Sequence, residues 1–590
     1  MGGRLGFTLE YNGSMASRLL FRYLWRYRSR YLLGFVFLTL SNIFALAVPW
    51  TVKNAIEALQ SRAGAETLRQ YILLIILLAV CHGLVRLGSR FAWLGAGQSV
   101  EYDIRNDLFT HLQRLPASFY QAARTGDLMS RASNDLSAVR LLIGFGGMSL
   151  LGTALVYVGT LVAMLRIDPW LTLCALAPYP VLILLAKRFN GLLHHQSQAV
   201  QDQLGVLSAK VQENLSGMAV VRAYTMEPQE TAEFGRLNRE YLTRSLRLAR
   251  THGAFSPMIG MIAGIGTLMV LYFGGRAVVE GRITLGAFVA FNTYLAHLAW
   301  PTIALGWVLS ITRRGMAAME RITEVLTTEP AIRDATAARE AVVSGAIEFR
   351  NLTFAYDGRP ALREVSLSIP AGATVAIVGP TGSGKSTLAA MISRLFDPPA
   401  GTCFLDGRET HEISLQSLRR AVGYVPQESF LFSRSIRENV AFGGERADAA
   451  TVRWAGGVAG IADEIDAFPE QWETVVGERG LTLSGGQRQR TALARALMAD
   501  PKILILDDAF ASVDAAKEVE ILHGLRKLLA GRTTLVITHR LRAAREADRV
   551  VVLDEGRVVE QGRHDDLIAR GGLYARLWRV QLLEEELENV

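Results

Sequence analysis

The chain has 590 residues, half of them hydrophobic and only 20% charged, with 63 basic against 55 acidic side chains for a net charge of +8. This balance excludes a disordered chain and disfavours an ordinary soluble enzyme; the length fits a membrane region joined to one soluble domain. The basic residues flank apolar runs instead of forming a stripe on one soluble face, which favours membrane topology and excludes nucleic acid as the expected partner. Cys81, Cys174 and Cys403 are far apart, with no CxxC and no His cluster, so neither a disulfide framework nor a zinc site is indicated.

Residues 1–30 are expected to be a cytoplasmic N-terminal segment. Their first twenty residues lack an apolar run and a small-residue cleavage pattern, so they do not read as a signal peptide, and Met15 offers an alternative start. Residues 31–315 then carry uncharged runs at 31–52, 71–85, 141–165, 169–186, 251–275 and 283–312. A helix needs ~20 apolar residues to cross a bilayer, so six membrane spans are expected, two of them completed by their flanks. The stretches of about 55 and 64 residues between spans 2 and 3 and spans 4 and 5 show helical apolar repeats at 100–115, 127–142, 206–224 and 230–248. They read as membrane helices that continue past the bilayer and turn back. Arg18, Arg22, Arg26, Arg28, Arg30, Arg105, Arg114, Arg124, Arg131, Lys187, Arg188, Lys210 and Arg222 crowd one side, which places both excursions, the N-terminus and everything after Arg313 in the cytoplasm. The expected membrane is the plasma membrane of a prokaryote.

A linker at 316–345 leads to a soluble domain at 346–580 and an acidic tail at 581–590. Strands are expected at 346–354, 361–369 and 374–378. The last runs into Gly379-Pro-Thr381-Gly382-Ser383-Gly384-Lys385-Ser386-Thr387 and an apolar helix at 388–396. Strand, GxxxxGK[ST] loop and helix in this order form a phosphate cradle. Glycines let backbone N–H groups face the phosphates at a helix N-terminus, Lys385 reaches the terminal phosphates, and the Ser386 hydroxyl ligates Mg²⁺. A second apolar strand at 503–506 ends in Asp507-Asp508, where the first carboxylate suits the Mg²⁺ shell and the second the place of a general base for water. Between them stands Leu483-Ser484-Gly485-Gly486-Gln487, preceded by 477–480 and followed by a helix at 488–498. The helix N-cap reading of SGGQ alone gives way to a functional one at this distance between two phosphate motifs.

These motifs together resemble a half-transporter of the ABC exporter family over roughly residues 20–580. The resemblance implies a membrane all-α, six-helix exporter-type transmembrane domain followed by an α/β P-loop NTPase cassette, with an antiparallel β subdomain and a helical signature subdomain. By position, Tyr356 resembles the aromatic that stacks on adenine, 379–387 the Walker A loop, and Gln427 the Q-loop glutamine, a metal-shell and catalytic position. Ser484, Gly485, Gly486 and Gln487 resemble the signature loop, Asp507 the Walker B aspartate, Asp514 the D-loop, and His539 the switch histidine. The cofactors implied are ATP and Mg²⁺. In the family two cassettes dimerise head to tail, so the partner implied is a second half-transporter. Coupling turns are expected near 125–131 and 216–224, each docking on a cassette, with 477–480 as the stretch that senses the opposite membrane domain.

The sequence departs from the family at one place. Hydrolytic members carry Glu after the Walker B aspartate, and this chain carries Asp508. One methylene fewer withdraws the carboxylate by ~1.5 Å from a water it must approach within ~3 Å. Slow hydrolysis at this chain's own site and a heterodimer are therefore expected, with a homodimer as the alternative. For cargo, the family implies hydrophobic or amphipathic compounds or lipids carried across the bilayer, a flippase and a channel-like or regulatory subunit being the other readings. His82, Trp93, Tyr294, His297, Trp300 and Trp307 are the candidate substrate contacts, and Pro301 is a candidate kink in the last span.

Overall fold

The computed structural model describes residues 3–588 apart from 63, 357, 445–447, 514 and 529–530. The chain divides into two compact units, one of residues 1–113 and 124–328 and one of 114–123 and 329–590.

The first unit is entirely helical. A helix α1 (Gly3–Arg26) precedes α2 (Arg28–Gln60) and α3 (Ala65–Leu112), which pair along their lengths. The described side chains of α1 pack on the other helices: Ala16, Leu20 and Tyr23 are buried with Val100, Ile104 and Ile322, and the Tyr23 hydroxyl donates to Asp107 at 2.6 Å. The apolar side of α1 repeats at three- and four-residue spacing, which is why it packs.

Every expected span but the fourth falls on a continuous helical stretch. Among the described residues three helices are long and apolar enough to cross a membrane: Arg28–Gln60, Ala65–Leu112 and Thr125–Ile167. Gly264–Val279 and Leu285–Leu298 are shorter apolar stretches, and the fourth expected span is broken where Pro169–Leu176 gives way to Tyr179–Ser216 at Ala177-Pro178. Proline lacks the N–H that would continue the first helix. The last membrane helix, Leu285–Thr327, runs unbroken through Pro301.

The first turn between the long helices lies earlier than the expected 125–131. Residues 125–130 are already helical, and the chain turns back over 113–124 around a short helix α4 (Ala117–Ala122). Pro116 fixes this, since it restricts Leu115 before it and opens α4 after it. This turn belongs to the second compact unit. The other turn is as expected: Tyr179–Ser216 ends at Gly217 and a short helix, Met218–Ala223, reverses the chain before Glu227–Met269.

The second unit holds two sheets. Strands β1 (Ile347–Tyr356), β2 (Arg359–Ile369), β4 (Cys403–Leu405) and β5 (Arg408–Glu409) form an antiparallel sheet in the order β2-β1-β4-β5. Strands β3 (Thr374–Val378), β6 (Val422–Val425), β7 (Ile503–Asp507), β8 (Thr533–Ile537), β9 (Arg549–Asp554) and β10 (Arg557–Gly562) form the second, ordered β10-β9-β3-β8-β7-β6. Strands β9, β3, β8, β7 and β6 run parallel, so their carboxyl ends lie along one edge. β7 and β8 are buried along their whole length and β3 over Val375–Val378, with apolar residues predominating, as a sheet covered by helices requires. Helices between 436 and 498 pack into a separate apolar cluster with β7.

Candidate nucleotide site

The phosphate loop leaves the carboxyl end of β3 and enters the helix Lys385–Ile392. Gly379 (φ +147°) and Gly384 (φ +96°) take backbone conformations closed to other residues, and a Cβ would meet Leu553 O at 2.0 Å and Ala361 O at 2.6 Å respectively. The glycines therefore let the loop press against β9 and β2. Ser383 is buried beneath it, and Thr381, Gly382 and Ser386 are exposed. Lys385 Nζ lies across the loop, donating to Gly379 O at 2.9 Å and Pro380 O at 2.8 Å. Burial pushes its ammonium below the usual lysine range, and the nearby Asp508 and Asp507 carboxylates oppose that.

Asp507 ends β7, next to β8 and β6. Its Oδ1 accepts from Ser386 Oγ at 2.9 Å and its Oδ2 from Tyr424 Oη at 3.0 Å. Burial pushes the Asp507 carboxyl up, against the pull of those two hydroxyls, and burial likewise raises the Tyr424 phenol, which stays protonated and donating. Two hard oxygen ligands thus stand together at the foot of the phosphate loop, the donor set that suits Mg²⁺. Among the described residues no group of three or more His, Cys, Asp or Glu could hold a metal unaided. A cation here would need phosphate oxygens and water to complete its shell.

Asp508 follows in a left-handed backbone conformation (φ +50°), and its amide donates to Ile537 O at 2.8 Å. This fastens the end of β7 to β8 and brings Asp508 Oδ1 to 3.0 Å from His539 Nδ1. Asp508 is 12% exposed and His539 61%, so the carboxylate sits inside and the imidazole at the rim. Gln427 is exposed two residues past β6, at the same sheet edge. Tyr356, at the end of β1, donates to Thr387 Oγ1 at 3.3 Å and meets Phe396 edge to face at 5.1 Å, which sets its ring beside the phosphate-loop helix. The structure thus gathers Tyr356, the loop 379–387, Asp507, Asp508 and His539 around one centre.

The signature loop is built apart from them. Ser484 caps the helix Gly485–Met498: its Oγ accepts from Gln487 N, and the Gln487 side chain accepts from Ser484 N. Gln487 also donates to Glu464, whose carboxylate is held by Arg490 at 2.6 and 3.0 Å. Burial would raise the Glu464 carboxyl, but the hydrogen bonds from Arg490 and Gln487 outweigh it and leave the group below the usual range. Gln487, expected as a nucleotide contact, therefore spends its side chain on the cap and on Glu464. Asp514 lies outside the described residues.

Two further residues were missed by sequence reasoning. Gln489 Oε1 accepts from Ser512 N at 2.9 Å, and a Cβ on Gly486 would meet Ser512 O at 2.8 Å. The stretch after Asp508 is thereby clamped to the signature helix, and Gly486 is required by the close approach. Tyr424 and Gln489 are each far in sequence from their partners, and no local pattern announces them.

The family models match the chain in two parts: an ABC transporter transmembrane region over residues 31–302 and an ABC transporter model over 362–511. The chain belongs to the ABC transporter family. An uncharacterized ABC transporter ATP-binding protein of Bacillus subtilis, YknV, is 38% identical over 88% of this chain and 87% of its own length. An ATP-dependent lipid A-core flippase of Syntrophus aciditrophicus is 34% identical over 95% and 93% of the two chains. A probable multidrug resistance ABC transporter protein of Bacillus subtilis, YheI, is 34% identical over 94% and 96%. A solved bacterial Atm1-family ABC exporter with ATP bound superposes with a TM-score of 0.78 at 30% identity, over 94% of this chain and 98% of that one. The chain is a multi-pass membrane protein whose cassette is that of a transport ATPase, in the build of an exporter half-transporter.

The membrane candidates fare unevenly. Tyr294 is not a cavity contact: it is 1% exposed in the core around Phe291 and Leu298, and its hydroxyl donates to Leu46 O at 2.7 Å. Its ring packs because the last membrane helix turns that face inward. His82 Nδ1 lies 2.9 Å from Ser41 O, tying α3 to α2, and His297 is half-buried. Trp307 is 47% exposed and meets Phe145 edge to face at 5.0 Å, while the Trp300 side chain lies outside the described residues. Trp93 is buried, wedged between Gly34 of α2 and Gly147.

Proposed function

We propose that this chain is the degenerate-site subunit of a heterodimeric exporter that uses ATP to move hydrophobic or amphipathic compounds out across the plasma membrane, with its N-terminus and cassette in the cytoplasm. The observation that carries the asymmetric reading is Asp508: a short carboxylate in the general-base position, already engaged with His539 at 3.0 Å. One methylene short of glutamate, it holds its nearest donor and does not extend past it to a water.

ATP on this chain lies with its adenine on Tyr356, its phosphates on the loop 379–387 and Lys385, and Gln427 and His539 at the terminal phosphate. Ser386 and Asp507, with Gln427, would hold Mg²⁺, which when bound screens phosphate charge. The partner closes this site with its signature loop, and Ser484 with Gly485 and Gly486 closes the partner's site in return. Closure follows from differential contact, because the signature reaches the terminal phosphate only across the dimer. The grouping of α4 with the cassette in one compact unit supports a coupling role for the turn at 113–124. The helices Tyr179–Ser216 and Glu227–Met269 pack chiefly on each other and leave Leu204, Val211, Leu215 and Leu242 exposed, which fits a partner subunit covering them.

The named similarity to a lipid A-core flippase supports lipid as a second cargo class. Reconstituted transporter tested with an amphipathic dye and with a fluorescent phospholipid separates the two. For the ATP site, phosphate release by the purified chain should be near background, and brisk turnover by the chain alone overturns the asymmetric reading.

A further inference from the structure

Arg86 and Arg90 lie in the membrane part of α3. Both are exposed, and neither side chain makes a hydrogen bond or ion pair among the described residues. Their depth follows from what α3 meets on α2. Gly88 faces Phe37 and His82 Nδ1 lies 2.9 Å from Ser41 O, so Arg86, between them, stands opposite 37–41 of the first span. At 1.5 Å per residue that is about 9 Å inward of Tyr31, which meets Trp93 at the arginine-rich end of the span. Arg90 stands opposite Gly34, whose carbonyl accepts from Ser89 Oγ at 3.2 Å. Helical side chains lean toward the N-terminus of their helix, which here is away from that end, so both guanidiniums are carried toward the middle of the bilayer. An ionised side chain at such depth is expensive and marks a pathway or a binding site.

The arginines do not share the face turned to lipid. Val80, Leu84, Leu87 and Phe91 form one exposed apolar stripe, and at 100° per residue the arginines stand roughly 100° round the helix from it. They fall instead on the line Gly83, Arg86, Arg90, Trp93 and Gly97, spaced three and four residues apart. One end of that line is packed: a Cβ on Gly97 would meet Gly144 Cα at 3.3 Å, and one on Gly147 would meet Trp93 at 3.8 Å. Beyond Trp93 the third span leans on α2, with Gly152 against Leu38, and a Cβ on Gly83 would meet nothing within 4 Å. The arginine pair therefore faces an opening between α3 and the third span, on the side of α3 that packs inward.

No carboxylate of this chain answers these charges. None of the runs 31–52, 71–99, 141–165, 169–186, 251–275 and 283–312 contains Asp or Glu, so a second copy of the chain would supply none at that depth either. The anion comes with what enters the opening. Two arginines one helical turn apart match a phosphate or comparable oxyanion, which guanidinium groups hold through paired, charge-assisted N–H donors. We propose that Arg86 and Arg90 form an anion-recognition site for a cargo whose acidic headgroup, phosphate above all, is joined to a hydrophobic body. The pair's place in a pathway rests on the export reading. The site narrows the cargo from hydrophobic or amphipathic compounds at large to acidic amphiphiles, a chemistry shared by a lipid headgroup and a water-borne amphiphile.

The test uses the whole transporter, purified from its native host into phosphatidylcholine nanodiscs, and two nitrobenzoxadiazole-labelled probes with one body, a dodecyl phosphate and a dodecyltrimethylammonium. Binding is read without ATP from fluorescence anisotropy. Wild type should bind the phosphate at least about tenfold more tightly than the ammonium. Arg86→Gln and Arg90→Gln should each weaken phosphate binding about tenfold, the worth of one charge-assisted hydrogen bond, and leave the ammonium unchanged. Arg86→Lys and Arg90→Lys keep the charge, so they should keep the preference and show that the loss in the glutamine variants is not misfolding. Phosphatidylglycerol added to the nanodisc displaces the probe if the anion belongs to a bilayer lipid and leaves it bound if it belongs to an amphiphile from water; either result supports the site. Equal affinity of wild type for the two probes, or phosphate binding unchanged in both glutamine variants, overturns the proposal. So does release of the partner subunit from those variants with phosphate binding intact, which assigns the arginines to the subunit interface. Selective binding with no ATP-driven movement of the probe in liposomes keeps the site and removes the export reading, so the two fail separately.

Discussion

Replacing Asp508 by Glu should raise hydrolysis at this chain's own site. The change adds ~1.5 Å of reach to a carboxylate that now stops at His539, 3.0 Å away. A positioned general base contributes about 10²- to 10⁴-fold, and a base beyond hydrogen-bond reach of its water forfeits most of that. The cost is modest: residue 508 sits at φ +50°, where Asp is better tolerated than a longer side chain, so the variant should lose about 1 kcal/mol of stability. Phosphate release at saturating Mg·ATP, with Lys385→Ala as the blank, reads the effect directly. A rise of roughly a hundredfold is expected for the variant. If wild type already turns over on the order of once per second and the variant is no faster, the reasoning about side-chain reach is refuted.

Tyr424→Phe removes one of two hydroxyls that favour ionised Asp507, so the carboxyl, already raised by burial, moves higher. Mg·ATP binding, followed calorimetrically, should weaken about fivefold, and more at pH 6 than at pH 8 because more Asp507 is then protonated. An unchanged affinity at both pH values contradicts the clamp. Gly486→Ala places a Cβ 2.8 Å from Ser512 O, a backbone atom, and should cost about 1–3 kcal/mol in thermal unfolding of the transporter. Wild-type melting would show that the approach is not as tight as described. Glu464 has a carboxyl held low in the folded chain, so its contribution to stability is complete above the usual glutamate range and is lost as pH falls from that range through the lowered folded-state value. Melting curves of Arg490→Leu should lose that part of the acid sensitivity; an identical pH profile would remove the pair from the account.

The cassette was more legible than the membrane region for a physical reason. A phosphate loop needs particular residues at fixed spacing after a strand, and the strand at 374–378 is observed where it was expected. Tertiary hydrogen bonds leave no such spacing: Tyr424 reaches Asp507 across 83 positions, and Tyr294 reaches Leu46 across 248. Tyr294 looked like a pathway residue because an aromatic on a membrane helix carries no sign of which side it faces. Residues 1–30 read only as an N-terminal segment because α1 spaces its apolar residues among arginines, and its packing against α3 and the last membrane helix shows the apolar face in use. The short signature motif was readable as a loop, whereas its glutamine's tie to Glu464 required the helices around it.

The most direct test of the asymmetric transporter is to tag this chain in its native host, extract it in mild detergent and determine the intact masses of what co-purifies in equal amount. The account predicts a second cassette subunit bearing Glu after its Walker B aspartate. A single species at twice the mass of this chain would contradict it and make Asp508 the working base of a homodimer.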